Sequence, residues 1–368
     1  MNGTESELMA RAVALGEHGR RCAPPNPWVG CVVVDEQGEI AGGGWHEGPG
    51  TPHAEATALA AAGERARGGA AFVTLEPCAH HGRTPPCADA LITSGVRRVV
   101  VALEDPDPRV AGRGLARLRA AGVDVRIGPG AVHARRSLAP YLRHRRTGRA
   151  WCLMKTAMSL DACVATADGS ARWITGPAAR ADAHRIRAES QAVMVGAGTA
   201  LADHPTLTAR DVQPPVDRQP LRVLVDGRGR VPATGPLFDP ALATTLVITT
   251  DAAPARAVDS WRAAGAKVEA VPPAPGGVDL GVALDLLGRH DVLQAMVEGG
   301  PTLHGALLLA GLVDRLVAYV APTVLGPRAR PAFPQPDPGT VAAAGDWRLL
   351  SAATRGDDVR LEYEPEER

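Results

Sequence analysis

The feature that most constrains how this chain can fold is a histidine and two cysteines, each placed where a helix should begin. His53-Ala54-Glu55 opens a predicted helix of about residues 53–67. A predicted strand over Ala71–Leu75 runs into Glu76-Pro77-Cys78, and Cys87 opens the next helix. One imidazole and two thiolates form a zinc-type donor set that leaves a fourth tetrahedral position open. Water held there would be acidified enough to supply hydroxide near neutral pH. Glu55, two residues past His53, is not an expected ligand and is placed to shuttle a proton. If the three donors are to share an ion, two helix N-termini must meet at the end of one strand. Those N-termini also favour the thiolate forms. A structural zinc would need a fourth protein ligand, for which His80 or His81 is available.

The surrounding pattern is α/β. A helix over Glu5–His18 precedes strands at Cys31–Val34, Ala71–Leu75, Arg97–Leu103 and Val123–Ile127. Gly42–Gly44 reads as a glycine-rich connection, and a helix spans Gly112–Ala121. The polar segment Arg145–Arg149 then interrupts the pattern, and a new alternation starts at Trp151. We therefore expect two domains, 1–148 and 149–368, in keeping with 368 residues and ordinary domain size. In the second, strands are expected at Ala192–Val195, Leu221–Val225, Thr245–Ile248, Lys267–Val271, Ala295–Val297 and Leu316–Val320.

Composition narrows the class. Forty basic and forty acidic residues balance, and the only lysines are Lys155 and Lys267. Arginine is thus the default cation of the whole chain. Arg143, Arg145 and Arg146 are accordingly expected on a solvated helix surface, with no nucleic-acid partner. The first dozen residues lack a cationic start and an apolar core, and no apolar run approaches a membrane span. A soluble, cytoplasmic protein is expected. Six cysteines in a chain of this length do not make a disulfide scaffold.

His-x-Glu followed by Pro-Cys and a second cysteine is the signature of zinc-dependent nucleobase deaminases. Here the cysteines are separated by the longer run PCAHHGRTPPC. With Pro25-Asn26-Pro27, Val29-Gly30, His46, the whole segment Thr74–Cys87, Asp105-Pro106 and Val110–Gly114, it resembles the bifunctional riboflavin-biosynthesis deaminase-reductase (RibD) family. The resemblance implies a cytidine-deaminase-like three-layer domain with zinc on His53, Cys78 and Cys87 and Glu55 as the catalytic proton carrier. It also implies that Asn26, His46, His80 and Arg83 contact a phosphoribosylated pyrimidine. Arg83 offers a phosphate fork and Asn26 a paired donor and acceptor for a base edge.

The resemblance continues through Lys155, Ser159-Leu160-Asp161, Trp173-Ile174-Thr175, Gly198-Thr199, Leu201–Asp203, Pro205–Arg210, Val225-Asp226 and Glu298–Leu303. It implies a dihydrofolate-reductase-like α/β domain that uses NADPH. Ala157, Trp173, Thr199, Asp203, Gly300, Pro301, Thr302 and Leu303 would then face the cofactor, and Lys155, Arg187, Leu207, Arg210 and Glu298 the substrate. Arg228 and Arg230 are candidates for the 2′-phosphate that separates NADP from NAD. Two positions depart from the family: Ala162 stands where glycine is usual, and Ala171 near where many members carry a substrate-contacting serine.

The expected function is zinc-dependent deamination of 2,5-diamino-6-(5-phosphoribosylamino)pyrimidin-4-one, then NADPH-dependent reduction of its ribosyl group, by a homo-oligomer. The rival readings are a relative with an altered reductase in a specialised pathway, and a zinc-stabilised nucleotide- or RNA-binding protein without turnover.

Overall fold

The computed structural model describes residues 4–80, 85–334, 340 and 344–366. The chain divides into two compact units, Met1–Gly148 and Arg149–Arg368. Both are α/β, as the alternation predicts.

The first unit is a five-stranded sheet in the order β2-β1-β3-β4-β5. Its strands are β1 (Gly30–Val34), β2 (Ile40–Trp45), β3 (Ala70–Val73), β4 (Arg98–Val101) and β5 (Asp124–Ile127). β1 runs antiparallel to β2 and β3, while β3, β4 and β5 are parallel. Helices α1 (Glu5–His18) and α5 (Ala131–Thr147) pack on each other. Helices α2 (Ala54–Ala62), α3 (Cys87–Ser94) and α4 (Arg113–Ala120) share a core with Cys31, Val33, Val73 and Val99. Thr4 and Glu7 start α1 as a reciprocal capping box: the Glu7 N–H donates to the Thr4 hydroxyl and the Thr4 N–H to the Glu7 carboxylate.

Gly42–Gly44 turns out to be strand. Its glycines are there for close approach: a Cβ at Gly44 would lie 2.6 Å from the Ala54 carbonyl oxygen, and one at Gly42 2.3 Å from that of Ala58. Helix α2 therefore rests directly on the β2 backbone, which fixes the height of its first turn. The expected helix 53–67 ends at Ala62 and tightens into a 3₁₀ turn over Gly63–Ala66. Arg145 is also a correction, because it does not lie on a solvated surface. It donates to the Pro25 carbonyl at 3.0 Å, lies 3.7 Å from Asp107 and stacks on the Tyr141 ring.

The second unit is a nine-stranded sheet. Its strands are β6 (Trp151–Ser159), β7 (Ala192–Gly196), β8 (Leu221–Val225), β9 (Thr245–Thr249), β10 (Lys267–Ala270), β11 (Gln294–Val297), β12 (Arg315–Ala321), β13 (Trp347–Arg355) and β14 (Asp358–Pro365). The spatial order is β10-β9-β8-β7-β11-β6-β12-β14-β13. The seven strands from β10 to β12 are parallel, and the terminal hairpin β13–β14 adds antiparallel. Cys152 and Met154 of β6 join one core and Leu153 the other, with the same alternation at Ala295, Met296 and Val297. Such two-sided burial is what parallel strands require. Helices α6 (Pro177–Ala188), α7 (Ala197–Asp203), α8 (Ala255–Ala263), α9 (Leu280–Arg289) and α10 (Pro301–Leu309) complete the unit. Among the described residues no helix is long and apolar enough to cross a membrane.

Ala162 occupies the turn after β6 with φ of 56°. A left-handed backbone costs a non-glycine residue roughly 1–2 kcal/mol, partly offset because glycine loses more entropy on folding. Ala162→Gly is expected to stabilise the protein by about 0.5–1 kcal/mol, read as a raised midpoint in urea denaturation.

Candidate functional site

The strand β3 and the first turns of α2 and α3 bring three donors together. His53 is the N-cap residue of α2, and Cys87 is the first residue of α3. The His53 Nδ1 atom lies 3.2 Å from Cys87 Sγ and 3.7 Å from Cys78 Sγ, and all three ligand atoms fall within 4.8 Å of one another. With ordinary zinc bond lengths, the N–S edge of a tetrahedron is ~3.6 Å. The donor set thus fits a zinc ion in both chemistry and spacing. His80 is exposed and does not join this group, and His81 and Arg83 lie outside the described residues.

The Cys87 backbone N–H donates to Cys78 Sγ at 3.3 Å, so the start of α3 faces a sulfur that carries negative charge readily. Without metal, the two thiols divide one proton unequally. A hydrogen bond from Cys87, helped by His53, outweighs burial and holds Cys78 down to about 4, and the same contact together with burial pushes Cys87 up. Glu55 is buried beside them, and burial, followed by the charge of Cys78, raises its carboxyl to about 7.

Asn26 and His46 form a second cluster. Asn26 Nδ2 lies 3.0 Å from His46 Nε2, and His46 Nδ1 lies 3.3 Å from the Pro52 carbonyl oxygen. With Nδ1–H donating to Pro52, Nε2 accepts from the Asn26 amide. Burial lowers the His46 pKa, which keeps the ring neutral for this role. The His46 and His53 rings meet edge to face at 5.1 Å, so the cluster adjoins the donors.

Glu76, just before Pro77-Cys78, carries no role in the sequence reading. Its buried carboxylate accepts the backbone N–H groups of Asp105, Gly112, Gly114 and Leu115 at 2.9–3.3 Å. The loop after β4 and the start of α4 are thereby fastened to the segment that carries Cys78. The sequence signal was Asp105-Pro106 and the glycines of Val110–Gly114, whose free N–H groups need a common acceptor.

In the second unit, the centre is Glu298, immediately after β11. Arg187 of α6 donates to both of its carboxylate oxygens, one bond measuring 2.9 Å, and Arg187 also reaches the Thr208 carbonyl at 3.0 Å. Lys155 of β6 places Nζ 3.8 Å from Glu298 and 5.9 Å from the Tyr319 ring centre. Arg210 donates to the Thr206 hydroxyl at 3.0 Å, and its N–H to His184 Nδ1 at 3.4 Å. Leu207, by contrast, is 1% exposed and packs into the core. His184 was missed by the sequence reading, although it sits one turn before Arg187 on the same helix face. Burial and then the charges of Arg187 and Arg210 lower it to about 4, so it is neutral among cations. His304 was missed as well: it is 2% exposed, and its Nε2 has no hydrogen-bond partner among the described residues.

Of the residues expected to face a cofactor, Thr199 and Asp203 lie on α7 and Gly300 to Leu303 at the start of α10. Gly300 is the N-cap of α10 and Pro301 its first residue, followed by Thr302 and Leu303. The Thr199 hydroxyl lies 2.9 Å from where a Gly300 Cβ would be. Trp173 is 68% exposed with the Arg180 guanidinium 4.6 Å above its ring, and Arg172 donates to the Asp203 carbonyl at 2.6 Å. Ala157 lies on β6 opposite Tyr319.

Burial alone would raise the Glu298 carboxyl, but Arg187 and then Lys155 outweigh it and hold it at about 2. A depressed carboxyl stabilises the fold above its unfolded value of ~4.3 and loses that contribution as pH falls toward 2. Glu298→Gln is expected to cost about 3 kcal/mol at pH 7, with the difference from wild type shrinking between pH 4.5 and 2. Urea titrations of both proteins across that range measure it.

Comparison with known proteins agrees with this geometry. Residues 150–361 match the RibD C-terminal domain, and residues 3–103 match the cytidine and deoxycytidylate deaminase zinc-binding region. The riboflavin biosynthesis protein RibD of Escherichia coli is 43% identical over 365 residues, covering 96% of this chain and 97% of that protein. The Chlamydia trachomatis protein of the same name is 48% identical over 325 residues, 88% of this chain and 86% of its own length. Among solved structures, Acinetobacter baumannii RibD superposes with a TM-score of 0.87 at 38% identity, over 99% of each chain. A Thermotoga maritima diaminohydroxyphosphoribosylaminopyrimidine deaminase/5-amino-6-(5-phosphoribosylamino)uracil reductase does so at 0.84 and 29%, over 98% of each. With a zinc-type donor set at the end of one sheet and a half-buried Lys155–Glu298–Arg187 centre in the other, the chain belongs to the RibD family of bifunctional riboflavin-biosynthesis enzymes, a deaminase joined to a reductase.

Proposed function

We propose that residues 1–148 hydrolytically deaminate 2,5-diamino-6-(5-phosphoribosylamino)pyrimidin-4-one and that residues 149–368 reduce the ribosyl group of the product to a ribityl chain with NADPH. The observation that carries this reading is the meeting of His53, Cys78 and Cys87 beside the buried Glu55. The Thermotoga maritima relative is named for the same two activities.

In the deaminase, His53, Cys78 and Cys87 would hold zinc, which when bound would supply hydroxide from water near neutral pH. Glu55 takes one water proton and passes it to the ring nitrogen, then takes the second from the added hydroxyl and delivers it to the amine, which leaves as ammonia. Water adds to the ring carbon, the carbon–nitrogen bond breaks, and a carbonyl remains. Asn26 and His46 read the pyrimidine edge, and their mutual hydrogen bond fixes both side chains before substrate arrives. His80 and Arg83 complete the site, Arg83 on the phosphate.

In the reductase, the task of the protein is alignment. NADPH, when bound, would supply a hydride for C1′ of the ribosyl group, balanced by opening of the C1′–O4′ bond and a proton taken up at O4′. Lys155, Arg187, Arg210 and Glu298 hold the substrate with their side chains, whereas Leu207, whose side chain lies in the core, would offer it backbone alone. Ala157, Trp173, Thr199, Asp203 and the turn and helix from Gly300 through Leu303 hold the cofactor, whose diphosphate suits the free N–H groups at the start of α10. The Arg187–Glu298 pair supports this because both charges are fixed before binding.

Glu55→Gln is expected to lower ammonia release ~10²–10⁴-fold while zinc content and NADPH oxidation on the deaminated substrate stay near wild type. Following ammonia and NADPH in one sample checks both. Loss of zinc together with activity would instead assign Glu55 a structural role.

A further inference from the structure

Two residues of α5 reach into two different loops of the first unit. Tyr141 and Arg145 stand one turn apart on the same helix face, and the Arg145 guanidinium lies 5.0 Å over the Tyr141 ring. The Tyr141 hydroxyl donates to the Asp105 carboxylate, 3.2 and 3.1 Å from its two oxygens. Asp105 and Asp107 belong to the loop after β4, where the Asp107 N–H donates to Asp105 at 2.9 Å and Arg109 donates to both Asp107 oxygens at 3.0 and 2.7 Å. Arg145 Nε lies 3.7 Å from that same Asp107 carboxylate. A guanidinium packed on a ring and drawn to a carboxylate, with its side chain only 20% exposed, has little freedom left to lose.

This fixed cation acts on the loop between α1 and β1. Arg145 Nη2 donates to the Pro25 carbonyl at 3.0 Å. The other end of that peptide group is the Asn26 N–H, which donates to the Ala23 carbonyl at 2.9 Å. A peptide group is planar, so a hydrogen bond at each end fixes its rotation. That plane sets φ of Asn26, and with it the direction in which the Asn26 side chain leaves the backbone. Ala23 lies in the same loop and moves with it, whereas Arg145 stands 120 residues farther along the chain, on a helix. The bond from Arg145 therefore ties the peptide to the frame of the unit, and it is charge-assisted.

The Asn26 amide in turn meets His46 Nε2 at 3.0 Å. An amide that must offer a donor and an acceptor side by side depends on its angle more than a single charge does. Setting that angle on folding removes an ordering cost from binding.

We infer that Arg145 is a positioning residue of the deamination: through the Pro25–Asn26 peptide it holds the Asn26 amide at the angle from which it meets the pyrimidine edge. The inference rests on the reading under Proposed function in which Asn26 contacts the ring. Tyr141 and Asp107 hold Arg145 for this task.

Ammonia release by the zinc-loaded full-length protein, followed across substrate concentrations, tests this. Arg145→Met keeps an apolar stem over Tyr141 and removes the donor. It is expected to raise KM ~10-fold with kcat within about twofold of wild type. Asn26→Ala is expected to raise KM as well, and Arg145→Met added to it to raise KM less than about twofold further, since the peptide then has no amide to aim. A merely structural Arg145 would raise KM by the same factor in both backgrounds, and that result overturns the inference. If thermal melting shows Arg145→Met to be poorly folded, Arg145→Gln is read in the same way. Arg145→Met with the KM of wild type, beside an impaired Asn26→Ala, overturns the inference alone. Asn26→Ala with the KM of wild type overturns the reading of Asn26 as a substrate contact and the inference with it.

Discussion

A carboxylate buried at the end of a strand must be given donors, since an unpaired buried charge costs several kcal/mol. Each unit is organised around a carboxylate at a strand end, buried in the first unit and half-buried in the second. Glu76 follows β3 and is answered by four backbone N–H groups drawn from residues 105–115. Glu298 follows β11 and is answered by the side chains of Arg187 and Lys155. The difference matters. Backbone donors bind a segment of chain into place, so Glu76 builds the wall behind Cys78. Side-chain donors keep their charge at the surface of a site, so Glu298 builds a centre that a polar ligand can enter.

The same contrast explains what could be read from the sequence. The zinc-type donors were legible because each stands where a strand or breaker gives way to a helix, at His53, Cys78 and Cys87. The parallel strands of the second unit were legible because burial on both faces leaves continuous apolar runs such as Ala192–Val195. β2 was not, because Gly42–Gly44 has no side chains to show a period, and its signal lies in helix α2 resting on it. The terminal hairpin was hidden by its charges. Arg348 pairs with Glu364 across the strands, and Arg360 with Glu362 along one, so half of its pattern resembles solvated surface. Arg145 was misread for the same reason: in an arginine-rich chain, composition conceals a cation that packs on Tyr141 and Asp107.

Site residues followed a parallel rule. The group formed by His53, Cys78 and Cys87 is written in spacing along the chain and was legible, whereas contacts made only through space were not. His184 reaches Arg210 from another element, and Glu76 finds its partners some thirty to forty residues ahead. Of the two departures from the family, Ala162 keeps the left-handed turn that glycine would otherwise supply. Ala171, half-buried before Trp173, offers no hydroxyl, and any polar contact made there in other members must come from elsewhere in this chain.

The backbone tie of Glu76 has a bearing on how the enzyme would acquire its metal. Cys78 follows a carboxylate held by four backbone N–H groups, and His53 and Cys87 stand at helix starts, so the segments that carry the three donors have hydrogen bonds of their own. Loading would then be an exchange at a folded protein, in which the proton retained on Cys87 is released to solvent as the ion enters. Such a protein can wait: scarcity of zinc in its surroundings would silence the first reaction while leaving an intact chain, ready to be recharged without refolding.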